Sequence, residues 1–374
     1  MEGIHDAAYS KQVMIKKLSI IDWYIIKKFL GTYIFTIFLF IAITIIIDYN
    51  QKFDDFNKTS APVHAIIFDY YLNFIPYFIN SFSSLFVFIA VIFFTSQLAD
   101  RSEIIAMLSS GLSFGRLIVP YMISAFIIAV LTFFLNSYII PPGNIKRIDF
   151  ENKYVKNRKT DYAPHIQLEV SPGVIAYFNY FSNTDNYGRG FSLDRFKGKE
   201  LVSRLTAQSI AWDSAYNWTI NNYMIRNFDG MKETVVKGEK IDTVLAIMPS
   251  DFLISIGDSE QLTTPALKTY IDRQKKRGIG NIQQFEIEYY RRFATSFASF
   301  ILTIIGVSLS SRKIKGGMGK NIGTGLLLAF SYVLFMQVTS TFAVSGLVSP
   351  WVAVWIPNVV YVFIAAYLYK KAPR

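Results

Sequence analysis

Five stretches of this chain carry no charged side chain over lengths that match a lipid bilayer: residues 29–47, 70–98, 117–145, 293–311 and 321–369. A helix needs roughly 20 residues to cross the hydrocarbon of a membrane, so each run is long enough to span, and a soluble fold would have nowhere to bury them all. The last run is long enough for two crossings. It is broken by Ser345-Gly346-Leu347-Val348-Ser349-Pro350, a turn signal, and reads as two helices joined tightly. The expectation is six spanning helices. Composition agrees, since 52% hydrophobic against 17% charged residues excludes a disordered or fibrous chain.

Positive charge gathers beside alternate helix ends, which is the bias of cytoplasmic flanks. Lys11, Lys16, Lys17, Lys27 and Lys28 precede the first span, Arg101 and Arg116 lie between the second and third, Arg312, Lys313, Lys315 and Lys320 between the fourth and fifth, and Lys370, Lys371 and Arg374 close the chain. The opposite side offers only Lys52 and Lys58 in its short loops. Both termini are therefore expected in the cytoplasm, and the first 15 residues lack the cationic start and apolar core of a cleavable signal peptide. The net charge of +11 sits on these flanks, because residues 141–288 hold 20 Lys/Arg against 18 Asp/Glu. Basic residues spread as topological flanks do not make a nucleic-acid surface, so no nucleic-acid partner is expected.

About 150 residues separate the third and fourth spans, and the topology puts them outside the cytoplasm. Ile166-Gln167-Leu168-Glu169-Val170 alternates, residues 173–180 are rich in β-branched and aromatic side chains, and Trp218-Thr219-Ile220 runs through Tyr223-Met224-Ile225 to a turn at Asp229-Gly230. Glu233-Thr234-Val235-Val236 adds another strand. Turn signals recurring about every ten residues predict a sandwich or jellyroll-like sheet and give no support to parallel βαβ units. Residues 263–291 are richer in charge and read as helical connectors returning to the bilayer. The layout expected is residues 1–144 with three spans, a β domain over 145–275, and 276–374 with a connector and three further spans.

The chain offers little chemistry of its own. It has no cysteine, and His5, His64 and His165 form no ligand pair at helical spacing, so neither a thiol nor a metal site is expected. The nearest approach to a nucleotide loop, Gly316-Gly317-Met318-Gly319-Lys320-Asn321, has Ile314 where the first glycine is required and Asn321 in place of the magnesium-binding hydroxyl. No Gly-x-Ser-x-Gly elbow, His-Glu-x-x-His helix or close carboxylate pair within a span occurs. Asp54-Asp55 are neighbours only in sequence, and their side chains point apart.

Two places hold candidate residues. On a helical wheel of residues 98–112, Leu98, Ile105, Leu108 and Leu112 share one face while Asp100, Glu103, Met107 and Ser110 fall opposite, which predicts an amphipathic helix at the inner surface. It is either a plain interfacial connector or a knob that docks a cytoplasmic partner, with Glu103 projecting from it. Arg291 and Arg292 stand at the outer start of the fourth span, and Asp48 and Asp69 at the outer ends of the first and second. The arginines serve either as interfacial anchors or as partners of a phosphorylated, anionic lipid.

With that layout in place, the chain resembles the lipopolysaccharide-export permeases of the LptF/LptG (YjgP/YjgQ) family. Residues 102–113, reading Ser-Glu-Ile-Ile-Ala-Met-Leu-Ser-Ser-Gly-Leu-Ser, are similar to the family's coupling-helix segment with its acidic residue, alanine and Gly-x-Ser ending. Ala207, Ala211-Trp212 and Trp218 resemble its Ala-x3-Ala-x-Trp to Trp-x-Leu strand pair, with Ile220 in place of leucine. Tyr290-Arg291-Arg292-Phe293-Ala294 resembles the start of its fourth span, although Thr295-Ser296-Phe297-Ala298 lacks the proline often found there. Pro350-Trp351 and Trp355-Ile356-Pro357-Asn358 resemble its last span. The likeness runs from about Lys16 to the end.

The resemblance implies an α-helical membrane protein with three spans, an inserted periplasmic all-β jellyroll and three more spans, in the bacterial inner membrane. It implies a permease of an ABC exporter, with no cofactor of its own and ATP used by a separate cytoplasmic ATPase dimer. Its partners would be that dimer, a second permease of the same family, periplasmic bridge proteins and lipopolysaccharide. Glu103, Ala106, Gly111 and Ser113 would then couple to the ATPase, and Arg291, Arg292 and Asp48 would meet the lipid. Rival readings are a permease for another lipid or lipoprotein, a membrane-bound lipid-modifying enzyme, and a bridging structural protein.

Overall fold

A computed structural model describes residues 19–155, 162–182, 185–249, 256–276, 282–312 and 318–372. His5, Lys11, Lys16, Lys17, Lys313, Lys315 and Arg374, with Ile314 and Gly316-Gly317 of the glycine-rich loop, lie outside the described residues.

Among the described residues, six helices are long and apolar enough to cross a membrane. The first, α1 (Ile20–Lys58), starts on a capping box in which the Ser19 hydroxyl accepts from the Asp22 amide and Asp22 accepts from the Ser19 amide. Its 39 residues make a rod about 58 Å long, so it outruns the hydrocarbon and continues past its own charged residues Asp48 and Lys52. The second crossing is not one rod. It opens with α2 (Val63–Ala65), widens into a π-helical turn (Ile66–Tyr71), resumes as α3 (Leu72–Ser81), breaks at Phe82, and crosses as α4 (Ser83–Asp100). The third runs through α6 (Phe114–Phe134), a π turn (Leu135–Ile139), α7 (Ile140–Phe150) and a further π turn (Glu151–Val155). Beyond the sheet come α8 (Ile256–Gln261), α9 (Thr264–Lys276), α10 (Gln283–Ser310), α11 (Met318–Val344) and α12 (Pro350–Lys371).

The α4 helix is the axis of the bundle. Phe86, Val87, Ala90 and Phe94 face α1 and α6, while Leu85, Phe88, Val91 and Ile92 face α10, α11 and α12. Lipid tails are as apolar as leucine, so close packing and interhelical hydrogen bonds hold such helices together. Both occur here. The Tyr33 and Ser83 hydroxyls are 3.0 Å apart, Thr95 donates to Tyr121, and Asn358 of α12 accepts from Tyr332 of α11 while donating to the Ala294 carbonyl of α10. At Gly306 of α10 the backbone comes so near α4 that a Cβ would lie 2.7 Å from Val91 Cγ1. Gly306→Leu is accordingly expected to cost about 1–3 kcal/mol through overpacking, with Gly306→Ala milder, as read from melting temperatures in detergent.

Among the described residues, the inserted domain holds one antiparallel sheet of six strands in the order β1 (Tyr162–Ser171), β2 (Val174–Ser182), β3 (Tyr187–Lys197), β4 (Glu200–Ser214), β5 (Asn217–Asp229) and β6 (Lys232–Val244). Each strand pairs with its neighbour in sequence, so these strands form a meander without Greek-key crossovers. In a flat sheet β2 and β5 would lie about 14 Å apart. Yet Trp218 of β5 has its ring 6.2 Å from Phe178 and 5.8 Å from Phe181, both on β2, and all three are fully buried. The sheet therefore rolls over its own apolar face, and Trp218 Nε1 donates to the Ile247 carbonyl beyond β6. This roll, in place of two facing sheets, is how one layer makes a dry core.

Candidate functional site

At the end of the bundle away from the sheet, residues 98–112 do not form the single amphipathic helix expected. α4 ends at Asp100, Ser102 takes a left-handed conformation with φ 60°, and only α5 (Glu103–Ser109) follows. The break rotates the predicted face. Ile104 is buried, Met107 and Leu108 pack on the core around Phe94 and Phe114, and Ile105 is 50% exposed. The face that looks outward therefore carries Ile105, Ala106 and Ser109. Glu103 is half-buried, and its carboxylate accepts from the Tyr24 hydroxyl of α1 at 3.0 Å. Gly111 ends the helix at φ 91°, a conformation only glycine adopts without strain, and the Ser113 hydroxyl caps α6 by accepting from the Arg116 amide. One residue pair ties the flanks: both terminal nitrogens of Arg116 donate to Asp22, at 2.7 and 2.5 Å.

The sheet end of the bundle holds two groups of ion pairs, one running from α1 through the third span to α8 and one within α10. Asp48 pairs with Lys52 at 2.8 Å and accepts from the Tyr70 and Tyr71 hydroxyls. Lys52 lies 3.8 Å from Glu151, Glu151 pairs with Arg147 at 3.2 Å, and Arg147 reaches Glu260 of α8 at 3.4 Å while stacking on the Tyr77 ring. Tyr77 donates to the same Glu260 carboxylate. Beside it Glu288 holds both arginines of α10, with Arg292 Nε at 3.1 Å. The two arginines differ. Arg292 is 1% exposed and spends its remaining donors on Thr264 and on the Ser259 carbonyl, whereas the Arg291 side chain is 39% exposed and lines a cavity.

That cavity, of about 300 Å³, opens between α3, α4, α10 and α11 and is lined by Tyr77, Asn80, Glu260, Glu288, Arg291 and Gln337 among others. Asn80 Oδ1 is buried there and accepts no hydrogen bond from the described residues. The arrangement offers one partly exposed guanidinium, ion-paired with a single carboxylate, with amides around it. Such a guanidinium can trade its partner for an incoming anion.

Burial pushes the Glu260 carboxyl above its ordinary value of 4.5, with Glu288 adding like charge and Arg291 and Arg147 opposing. A raised folded pKa favours the protonated form, so the stability this group contributes is present below about pH 4.5 and declines as pH rises through the folded value. Glu260→Gln, which keeps the shape without the charge, should flatten that decline in melting temperature measured against pH.

Of the residues singled out from the sequence, the structure brings Arg291 and Arg292 onto one carboxylate and sets Asp48 in the other group of ion pairs, which ends at Glu260. Glu103, Ala106, Gly111 and Ser113 lie together in one turn-helix-turn. The sequence reading missed Lys52, Arg147, Glu151, Glu260, Glu288, Tyr24 and Tyr77. The signal was partly there: Asp48/Lys52, Arg147/Glu151 and Glu288/Arg292 are opposite charges four residues apart, the spacing that meets on a helix.

Residues 23–371 match the family model described as lipopolysaccharide export system permease LptF/LptG. No curated protein matches the chain.

Proposed function

The chain belongs to the LptF/LptG family of lipopolysaccharide export permeases, and on that premise we propose that it is one permease half of an ABC exporter that lifts lipopolysaccharide out of the bacterial inner membrane. ATP is used by a separate cytoplasmic ATPase dimer, and a second permease of the family completes the cavity. The β domain, in the periplasm, hands the lipid to bridge proteins. The observation that carries this reading is the family match over nearly the whole chain. The exposed face of α5 supports it, because a short helix presenting Ile105 and Ala106 is suited to fit a groove on a partner.

Within that reading, Arg291 is the side chain that meets the phosphorylated headgroup, because it faces the cavity and has a single carboxylate to exchange. Arg292 and Asp48 serve the lipid indirectly, by holding the helices that frame the cavity. Ala106 contributes to the docking face, and Gly111 and Ser113 fix where α5 ends and α6 begins.

Two measurements test the proposal. Met231 at the tip of the β5–β6 hairpin is fully exposed, and the chain has no cysteine of its own. Met231→Cys is expected to react with an impermeant maleimide in intact spheroplasts, and labelling only after lysis would invert the topology. Purification of the tagged permease should bring down an ATPase together with lipopolysaccharide; recovery of the permease folded but alone would count against the exporter.

A further inference from the structure

The first span is fully packed only near its ends; between them one side, with Ile37 and Phe40, still lies on the core and the other side is bare. Its buried side chains are Asp22, Ile25, Ile26, Phe29, Tyr33 and Thr36, and the next is Phe56. Between the two, Phe38, Leu39, Ile43, Ile46 and Ile47 are between 45% and 68% exposed. A single continuous helix held in this way is stiff along its length, so a displacement at its packed start is carried into the uncovered part.

Two contacts join that packed start to the segment around α5. Asp22 is 2% exposed, takes both terminal nitrogens of Arg116 from the first turn of α6, and also completes the cap of α1. Two residues on, the Tyr24 hydroxyl donates to Glu103, the first residue of α5. With seven residues α5 is too short to hold its own shape, and it hangs between two left-handed residues, Ser102 at φ 60° and Gly111 at φ 91°. Its position is therefore set by what it touches: the core, through Ile104, Met107 and Leu108, and Tyr24.

Resting on the reading of α5 as the point where an ATPase docks, we infer that Tyr24 is a positioning residue which, with the Asp22/Arg116 pair, carries the motion of α5 into the first span. The starts of α1, α5 and α6 then move as one body. The bare side of the middle of α1 is where that motion is delivered.

The inference separates two duties of Glu103: its charge faces the partner, and its oxygen holds Tyr24. Tyr24→Phe removes only the hydroxyl and keeps the ring beneath Lys28. Glu103→Gln keeps an oxygen for Tyr24 and removes the charge. Each variant is assayed in the complete complex of both permeases and the ATPase, in vesicles containing lipopolysaccharide. Tyr24→Phe is expected to retain the ATPase and its KM for ATP, while lipid exported per ATP hydrolysed falls about ten- to a hundredfold, the worth of one hydrogen bond to a charged group. Glu103→Gln is expected to shed the ATPase. If Tyr24→Phe exports normally per ATP, or loses the ATPase along with export, the transmitting role is overturned and Tyr24 only shapes α5. If Glu103→Gln keeps the ATPase, it is the docking reading that fails.

Discussion

Replacing Arg292 by methionine lowers the stability of the permease by about 3–5 kcal/mol, whereas Arg291→Met costs less than about 1 kcal/mol. The two residues are neighbours in sequence and share Glu288, but only Arg292 is buried with it. Without Arg292, Glu288 keeps a charge at 5% exposure with one partner fewer, and the Ser259 carbonyl and Thr264 hydroxyl lose their donor. These last two lie where the chain returns from the β domain, so α8 and α9 should loosen before the spans do. Thermal unfolding in detergent reads the difference, and limited proteolysis near residue 263 reads its location. Equal melting temperatures for the two variants would show that Arg292 is not the brace its contacts describe.

Charge reversal at the other end has a different signature. Glu103→Lys is expected to abolish ATPase recovery and lipid export while the permease stays folded, because lysine can still donate to the Tyr24 hydroxyl and Ile104 still anchors α5. Breaking a buried charge contact at an interface costs about 2–5 kcal/mol, at least a thirtyfold loss of affinity. Permease yield, ATPase recovery and export are measured side by side. A Glu103→Lys complex that assembles and exports normally would leave α5 as a plain connector between two spans.

The spans were legible because bilayer crossing is a matter of run length, and nothing in the surrounding structure can hide 20 uncharged residues. What the runs did not reveal was where each rod breaks. Residues 70–98 are uniformly uncharged, yet the helix is interrupted at Phe82, and neither proline nor glycine marks that point in the sequence. The wheel of residues 98–112 failed for a related reason. It assumed 3.6 residues per turn throughout, and one left-handed serine at 102 restarts the helix with Ile104, instead of Ile105, facing inward.

In the β domain, alternation exposed β1, and runs of β-branched and aromatic residues bounded by turns exposed β2, β5 and β6. The strands β3 and β4 were obscured by charged residues such as Arg195, Lys197 and Glu200, which a rolled sheet tolerates on its outer face. The roll itself depends on aromatic contacts between β2 and β5, forty residues apart, and no local pattern reports that. Arg291 and Arg292 look equivalent in sequence. Which of them faces the cavity is decided by α8, a segment far upstream whose carbonyl at Ser259 captures one and leaves the other.

The chain leaves the six-helix bundle and rejoins it at almost the same spot. Asn144 donates to the Glu260 carbonyl at 3.2 Å and Arg147 reaches the Glu260 carboxylate at 3.4 Å, so the two stems of the sheet are fastened side by side. Stems that meet in this way make the sheet a cassette: the ring of helices closes whether the excursion between them is long or short, since lengthening a loop whose ends already touch adds little entropy cost. A sheet of another size, or a foreign one, could be grafted onto the same two stems without redrawing the bundle, and selection on the outer cassette can proceed without disturbing the helices beneath it.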